Sequence, residues 1–397
     1  MNATHDSDRL IRAFLDEGMT ELPAHAYDEI RSDIERTRQR VVIGPWSEPH
    51  MSRLASFAVA AAAVVIIGAV GLTSIGSPTS PGAIGPSQQV GQVWPGTNDV
   101  AFTIRRDTTD DADHYWRALT YDRLDLRGFS SSATTIVDRP AGTRILDGRA
   151  DDARDIGVRS VTFTVIPGSF SGSTIVSPAT PIKVDQATRL SVVGTGGYFV
   201  ALDRTKSGGA YTVTALVPIT GDGEAQINRA RLLAAGTDYP TEIRSMYTTL
   251  PAGMWGPNLE ILKDKVLAAS RTREPVDIAQ ALEQELRSSA YLYETDMRDV
   301  DCGTMSTAEC FATVKRGFCQ WYAMTMAVVL RDLGIPARIA EGFLPGSRDQ
   351  STATEVVRNN NAHAWVEVYF PGDGWVTFDP TGGNLPGQVP AAPAAAP

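Results

Sequence analysis

The chain has 397 residues, is 43% hydrophobic and 21% charged, and carries a formal net charge of −10. That length exceeds one ordinary hydrophobic core, and that composition belongs to folded protein rather than disorder. The acidic balance, with no Lys/Arg-rich run, argues against a nucleic-acid partner, because phosphate binding needs a basic surface.

Residues 1–53 read as a cytoplasmic helical segment. Leu10, Ile11, Phe14 and Leu15 have helical spacing, as do Ile30 and Ile34. Residues 54–76 read as a single transmembrane helix. The run from Leu54 to Ile75 contains no charge, and its roughly 22 residues suffice for a bilayer core at about 1.5 Å each. Polar sequence precedes it, which does not fit a signal peptide, and few soluble helices are apolar on every face. Arg31, Arg36, Arg38, Arg40 and Arg53 lie on its N-terminal flank, and no lysine or arginine follows until Arg105. The positive-inside rule then places the N-terminus in the cytoplasm and all that follows the span outside, as in a single-pass cell-membrane protein.

Residues 77–97 are rich in Gly, Pro and Ser and read as a linker. Residues 98–225 read as a β-rich extracytoplasmic domain. Short runs such as Val100–Ile104, Val161–Val165, Tyr198–Leu202 and Tyr211–Leu216 alternate with turn residues, which suggests an antiparallel β-sandwich. Residues 235–385 form the candidate catalytic domain. Leu259, Ile261, Leu262, Val266 and Leu267 mark one helix, and Ile278, Leu282 and Leu286 another. Strands return at Pro336–Leu344, His363–Phe370 and Trp375–Phe378. Residues 386–397 are a Pro/Ala tail, disordered by composition.

Three residues in the last third carry the chemistry. Cys319 lies in Lys315-Arg-Gly-Phe-Cys-Gln-Trp-Tyr-Ala323, His363 in Asn361-Ala-His-Ala-Trp-Val-Glu-Val-Tyr-Phe370, and Asp379 in Gly374-Trp-Val-Thr-Phe-Asp-Pro-Thr381. A thiol, an imidazole and a carboxylate make a nucleophile, a general base and a group that orients the base. Cys319 opens a helix whose apolar stripe is Tyr322, Met326, Val329, Leu330 and Leu333 and which Gly334 and Pro336 close. At a helix N-terminus a thiol meets unpaired N–H groups and the positive end of the dipole, which favour the nucleophilic thiolate and can hold an oxyanion. Gly317 supplies a permissive bend just upstream. On the following strand His363, Trp365 and Glu367 share one face. Trp365 is a candidate wall for the site, as is Trp321; Glu367 reads as a hydrogen-bonding or solvated carboxylate. Each residue also has a plain structural reading: a buried thiol, a strand histidine, an Asp-Pro turn.

The hairpin turn Phe370-Pro-Gly-Asp-Gly-Trp375 decides whether the triad can form. A four-residue loop pairs Phe370 with Trp375 and sends Asp379 to the face away from His363. A three-residue loop, Pro371 to Asp373, pairs Phe370 with Gly374 and brings Asp379 diagonal to His363 on the same face. Gly374 is placed to take the left-handed conformation such a loop needs, and the odd-length loop is the expectation.

Cys302 and Cys310 stand close in sequence. In an oxidising compartment they can pair as a disulfide and leave Cys319 free, or they remain two reduced thiols. No CxxC spacing occurs, and His5, His25, His50, His114 and His363 form no local cluster, so neither a metal nor another cofactor is expected.

The stretch from Arg316 to Thr381 resembles the catalytic core of the bacterial transglutaminase-like superfamily, in its membrane-bound TgpA-type subgroup. His114-Tyr-Trp-Arg-Ala-Leu-Thr-Tyr-Asp122 resembles, more weakly, the β domain that precedes that core. The resemblance implies a papain-like α+β scaffold with a Cys-His-Asp triad, carried onto Cys319, His363 and Asp379. It implies acyl transfer through a thioester on a protein or peptide substrate, glutamine or amide groups of the cell envelope included. The rival readings are a cell-envelope cysteine peptidase or amidase, and a non-catalytic binding module attached to the membrane.

Overall fold

The computed structural model describes residues 87–382, apart from 95, 107–111, 133–134, 146–156, 171–173, 194–196, 203–208, 222–225 and 350. The expected cytoplasmic segment, the span at 54–76, the first part of the linker and the tail lie outside the described residues. Among the described residues no helix is long and apolar enough to cross a membrane. The fold mixes α-helices with antiparallel sheets.

Two sheets carry the architecture. The five-stranded core sheet runs, in spatial order, Gly374–Phe378, Ala362–Phe370, Ala337–Phe343, Trp116–Tyr121 and Ser177–Pro178. The six-stranded sheet runs Ser347–Asp349, Thr354–Arg358, Val100–Arg106, Val158–Pro167, Tyr211–Pro218 and Thr180–Val184. The two halves of the chain therefore exchange strands. Trp116–Tyr121 leaves the N-terminal half to pair with Ala337–Phe343, and the hairpin 347–358 leaves the C-terminal half to pair with Val100–Arg106. Both crossings pass the sequence boundary expected near residue 230.

The helix Cys319–Asp332 packs on the core sheet, and every residue from Cys319 to Arg331 is buried. The sequence suggests an apolar stripe; the structure gives a helix enclosed on all faces, by the sheet and by the helices Thr307–Val314 and Pro275–Leu286. Its one guanidinium, Arg331, is accommodated because it donates to the backbone oxygens of Asp122, Thr249 and Ala337. The helix stops where Gly334 turns left-handed, at φ 73°.

The bend before Cys319 is not made by Gly317. Lys315 takes the left-handed conformation, at φ 54°, as the C-terminal cap of the helix Thr307–Val314. Gly317 is needed for room instead: a Cβ there would stand 2.8 Å from the Trp321 ring. That helix begins at Ser306, whose hydroxyl accepts from the Glu309 N–H, a cap worth about 1 kcal/mol. The Glu309 carboxylate then caps the neighbouring helix Pro257–Ala269 through the N–H groups of Asn258 and Leu259. A disulfide joins Cys302 to Cys310, and Cys319 is the free cysteine.

Candidate active site

Cys319 sits at the first turn of its helix, where the N-cap residue Phe318 supplies no side-chain cap. The short strand Leu292–Tyr293 runs parallel to Arg316–Gly317 and sets Tyr293 beside it. The Tyr293 hydroxyl bonds both the Cys319 side chain and its backbone N–H, and burial, then the Cys319 charge, raise this phenol above its ordinary range. The thiol is fully buried and in hydrogen-bonding contact with His363.

The hairpin register is the odd-length one. Phe370 pairs with Gly374, Tyr369 with Trp375 and Val366 with Phe378. Gly374 takes the left-handed conformation at φ 67°. Asp379 accordingly falls on the His363 face, and Nε2 of His363 lies 2.9 Å from Oδ2 of Asp379. With Nε2 so engaged, Nδ1 is the nitrogen left to exchange a proton with the thiol.

Asp379 is held from four further directions. The Tyr115 hydroxyl donates to Oδ2 at 2.8 Å, and the Thr381 N–H to Oδ1 at 3.0 Å. The Asp379 N–H donates to Glu283 Oε1 at 2.8 Å, and the Arg287 guanidinium donates to the Asp379 carbonyl at 3.0 Å. Burial alone would raise the Asp379 carboxyl, but the His363 charge and hydrogen bond, with the Thr381 N–H and the Tyr115 hydroxyl, hold it below the usual range. Burial alone would lower the His363 imidazole; the Asp379 carboxylate and Cys319 more than offset this and push it up to about 10. Burial pushes Glu283 up to about 7, partly opposed by the Asp379 N–H and Arg287.

Trp365 lies beside His363 and Tyr115. Its ring lies near-parallel to that of His363, centroids 6.4 Å apart, and meets Tyr115 edge-on at 5.2 Å. Trp321 packs against Gly317 and Phe318. Glu367 is not solvated: it is buried between Arg117 and Arg338, each 2.8 Å away. Gln320, next to the thiol, donates to the buried Glu341, which also accepts from Tyr121; burial pushes this carboxyl up to about 7 against those two donors. Tyr115, Glu283, Arg287 and Tyr293 were not indicated by the sequence. They lie 26 or more positions from the residues they serve, and only Tyr115 falls in a segment with any motif, His114–Asp122.

The arrangement is thus a buried thiol at a helix start, beside an imidazole that a carboxylate at the end of an antiparallel hairpin holds. Residues 263–380 match the transglutaminase-like superfamily, and residues 66–219 match the TgpA N-terminal domain. The match to the TgpA N-terminal domain thus lies ahead of the match to the transglutaminase-like core. It is 32% identical over 139 residues to a protein-glutamine gamma-glutamyltransferase of Pseudomonas aeruginosa, covering 35% of this chain and 20% of that one. It is 40% identical over 112 residues to protein YebA of Bacillus subtilis, covering 27% of this chain and 15% of that one. The matches thus span about a fifth or less of these relatives. The crystal structure of the periplasmic domain of TgpA from Pseudomonas aeruginosa superposes with a TM-score of 0.53 at 22% identity, over 72% of this chain and 88% of that one, and shares the fold.

Proposed function

We propose that this protein is a membrane-anchored, transglutaminase-like cysteine acyltransferase working outside the cytoplasm on glutamine or other amide groups of proteins or peptides. The observation that carries the reading is the 2.9 Å contact of His363 Nε2 with Asp379 Oδ2 while the same ring meets the Cys319 thiol. In this reading Cys319 sulfur attacks the amide carbonyl, and His363 gives the leaving ammonia its proton. An amine then takes the acyl group from the thioester, with His363 as base. Asp379 holds the imidazole in the tautomer and orientation these transfers need.

The Cys319 N–H is the natural donor to the oxyanion, and Tyr293 now bonds it. An entering carbonyl oxygen takes that N–H, and the phenol donates to the same oxygen. Full burial of the thiol supports transfer to an amine over hydrolysis, because it keeps water from the thioester. Two observations support an extracytoplasmic location: the Cys302–Cys310 disulfide, which suits an oxidising compartment, and the periplasmic origin of the similar solved domain. The anchor is the apolar run Leu54 to Ile75.

The test is incorporation of a labelled primary amine into glutamine-bearing peptides by the full-length chain. Wild type incorporates the amine, and Cys319→Ala loses essentially all incorporation while keeping the disulfide and the thermal transition. Near wild-type turnover in Cys319→Ala, or peptide cleavage without amine incorporation, contradicts the reading.

A further inference from the structure

The first turn of the cysteine helix is tied to the core sheet by one buried carboxylate. Gln320, the residue after the nucleophile, donates from its amide to Glu341 Oε1 at 2.7 Å, and the Tyr121 hydroxyl donates to Oε2 at 2.7 Å. Gln320, Glu341 and Tyr121 are all buried. Gln88 donates in turn to the Tyr121 oxygen, which commits the phenol hydrogen to Glu341. We propose that Glu341 is a positioning residue for Cys319: through Gln320, its carboxylate holds the nucleophile's turn of helix in place against the strand that pairs with the His363 strand.

The register shows where this hold acts. Glu341 pairs with Ala364, and its neighbour Gly342 pairs with His363. The residue next to the thiol is therefore bonded to the residue next to the histidine's strand partner. The other polar side-chain atoms of this turn make no such tie: Nε1 of Trp321 and the Tyr322 hydroxyl have no hydrogen-bond partner. Beside the contacts of Cys319 itself, Gln320 supplies the turn's side-chain bond to the sheet.

A carboxylate is a poor choice here for stability alone. No cation pairs with Glu341 among the described residues; its partners are two neutral donors, and burial pushes the carboxyl up to about 7 against them. An amide or an apolar side chain would avoid that desolvation. What the carboxylate adds is two oxygens that both accept, so the Gln320 amide nitrogen and the Tyr121 hydroxyl are held at once. A protonated carboxyl has to donate from one oxygen, and one of the two bonds is then lost or reversed. Trp116–Tyr121 brings one titratable group to Glu341, the Tyr121 phenol, which burial and then the Glu341 charge raise well above its ordinary range, so it stays a donor. The helix brings Gln320 and the His363 strand brings Ala364, neither of which titrates. The hold is complete above about pH 7 and weakened below it.

That this serves acyl transfer rests on the proposed activity; the effect on the thiol rests on the Cys319–His363 contact alone, and the two are read separately. With Cys302 and Cys310 joined, iodoacetamide reports on Cys319. Alkylation of the full-length chain is followed by intact mass from pH 5 to pH 9. The Glu283→Gln background is used throughout, because burial pushes that carboxyl up to about 7 as well. The expected profile has an inflection near pH 7 that Glu341→Gln lacks, and at pH 8 this variant alkylates about tenfold more slowly, the loss of one hydrogen bond to a charged group. Gln320→Ala leaves the Tyr121–Glu341 bond in place and gives the same loss at pH 8, and the double variant loses no more than either. Amine incorporation falls by the same factor in kcat, with KM little changed. A role in stability alone would lower the thermal midpoint and leave the alkylation rate and its pH profile as they are. The proposal is overturned if either single variant alkylates at the wild-type rate or faster, if Glu341→Gln keeps the wild-type pH profile, or if the two losses add. The expected alkylation pattern without amine incorporation by the wild type would remove the acyl-transfer reading and leave Glu341 in its role.

Discussion

Asp379 Oδ2 receives both the imidazole and the Tyr115 phenol, so in the proposed reaction Tyr115 acts through Asp379. Tyr115→Phe is expected to lower kcat about tenfold with KM little changed, the worth of one hydrogen bond to a charged group. An unchanged kcat would show that His363 alone orients the carboxylate. Tyr293 bonds the Cys319 side chain and N–H, and in the proposed reaction Tyr293→Phe is expected to lower kcat by about tenfold through loss of an oxyanion donor; a rise in activity would mean that the phenol blocks the thiol instead. Glu283 gives a signature in stability. Its carboxyl moves from an ordinary 4.5 to about 7 on folding. Between those values the folded state holds a proton that the unfolded state releases, so stability falls as pH rises across this window, by at most about 3 kcal/mol. Glu283→Gln keeps an acceptor for the Asp379 N–H and cannot titrate. Thermal unfolding at pH 5 and pH 8 should show a smaller loss in the variant than in wild type, and equal losses would contradict the assignment.

The hairpin and the cysteine helix are the elements on which the site depends, and both were legible in the sequence for local reasons. Phe370-Pro-Gly-Asp-Gly-Trp375 offers few registers, and only the one that lets Gly374 turn left-handed puts Asp379 on the His363 face. Gly374→Ala places a Cβ in that conformation and should cost about 1 kcal/mol of stability, read as a lower denaturation midpoint; no change would mean the loop relaxes into another turn. Gly317 was legible as a special position for the wrong reason: its backbone is unremarkable, and the constraint is a tryptophan ring four residues later, which no local pattern reveals. The same limit hid Tyr115. Its partner lies 264 residues away, and periodicity speaks only of near neighbours.

At the scale of the molecule, strand exchange makes the two halves one structure. The core sheet includes Trp116–Tyr121, and the N-terminal sheet includes Thr354–Arg358. Sequence could propose the strands but not which sheet each would join, because pairing across more than 200 positions leaves no local trace. Residues 235–385 alone should therefore aggregate, having lost both a central strand and Tyr115, whereas the chain from 87 onward should melt in one cooperative transition; a soluble, folded 235–385 fragment would contradict this. The central claim, that Cys319, His363 and Asp379 act as one nucleophilic unit, is tested most directly by intact-mass spectrometry of the full-length chain quenched during reaction with a glutamine-bearing peptide and no added amine. The account predicts an adduct on Cys319 equal to the peptide less ammonia, discharged when amine is added, and absent from Cys319→Ala and His363→Ala. An adduct on another residue, or one formed equally well without His363, would contradict it.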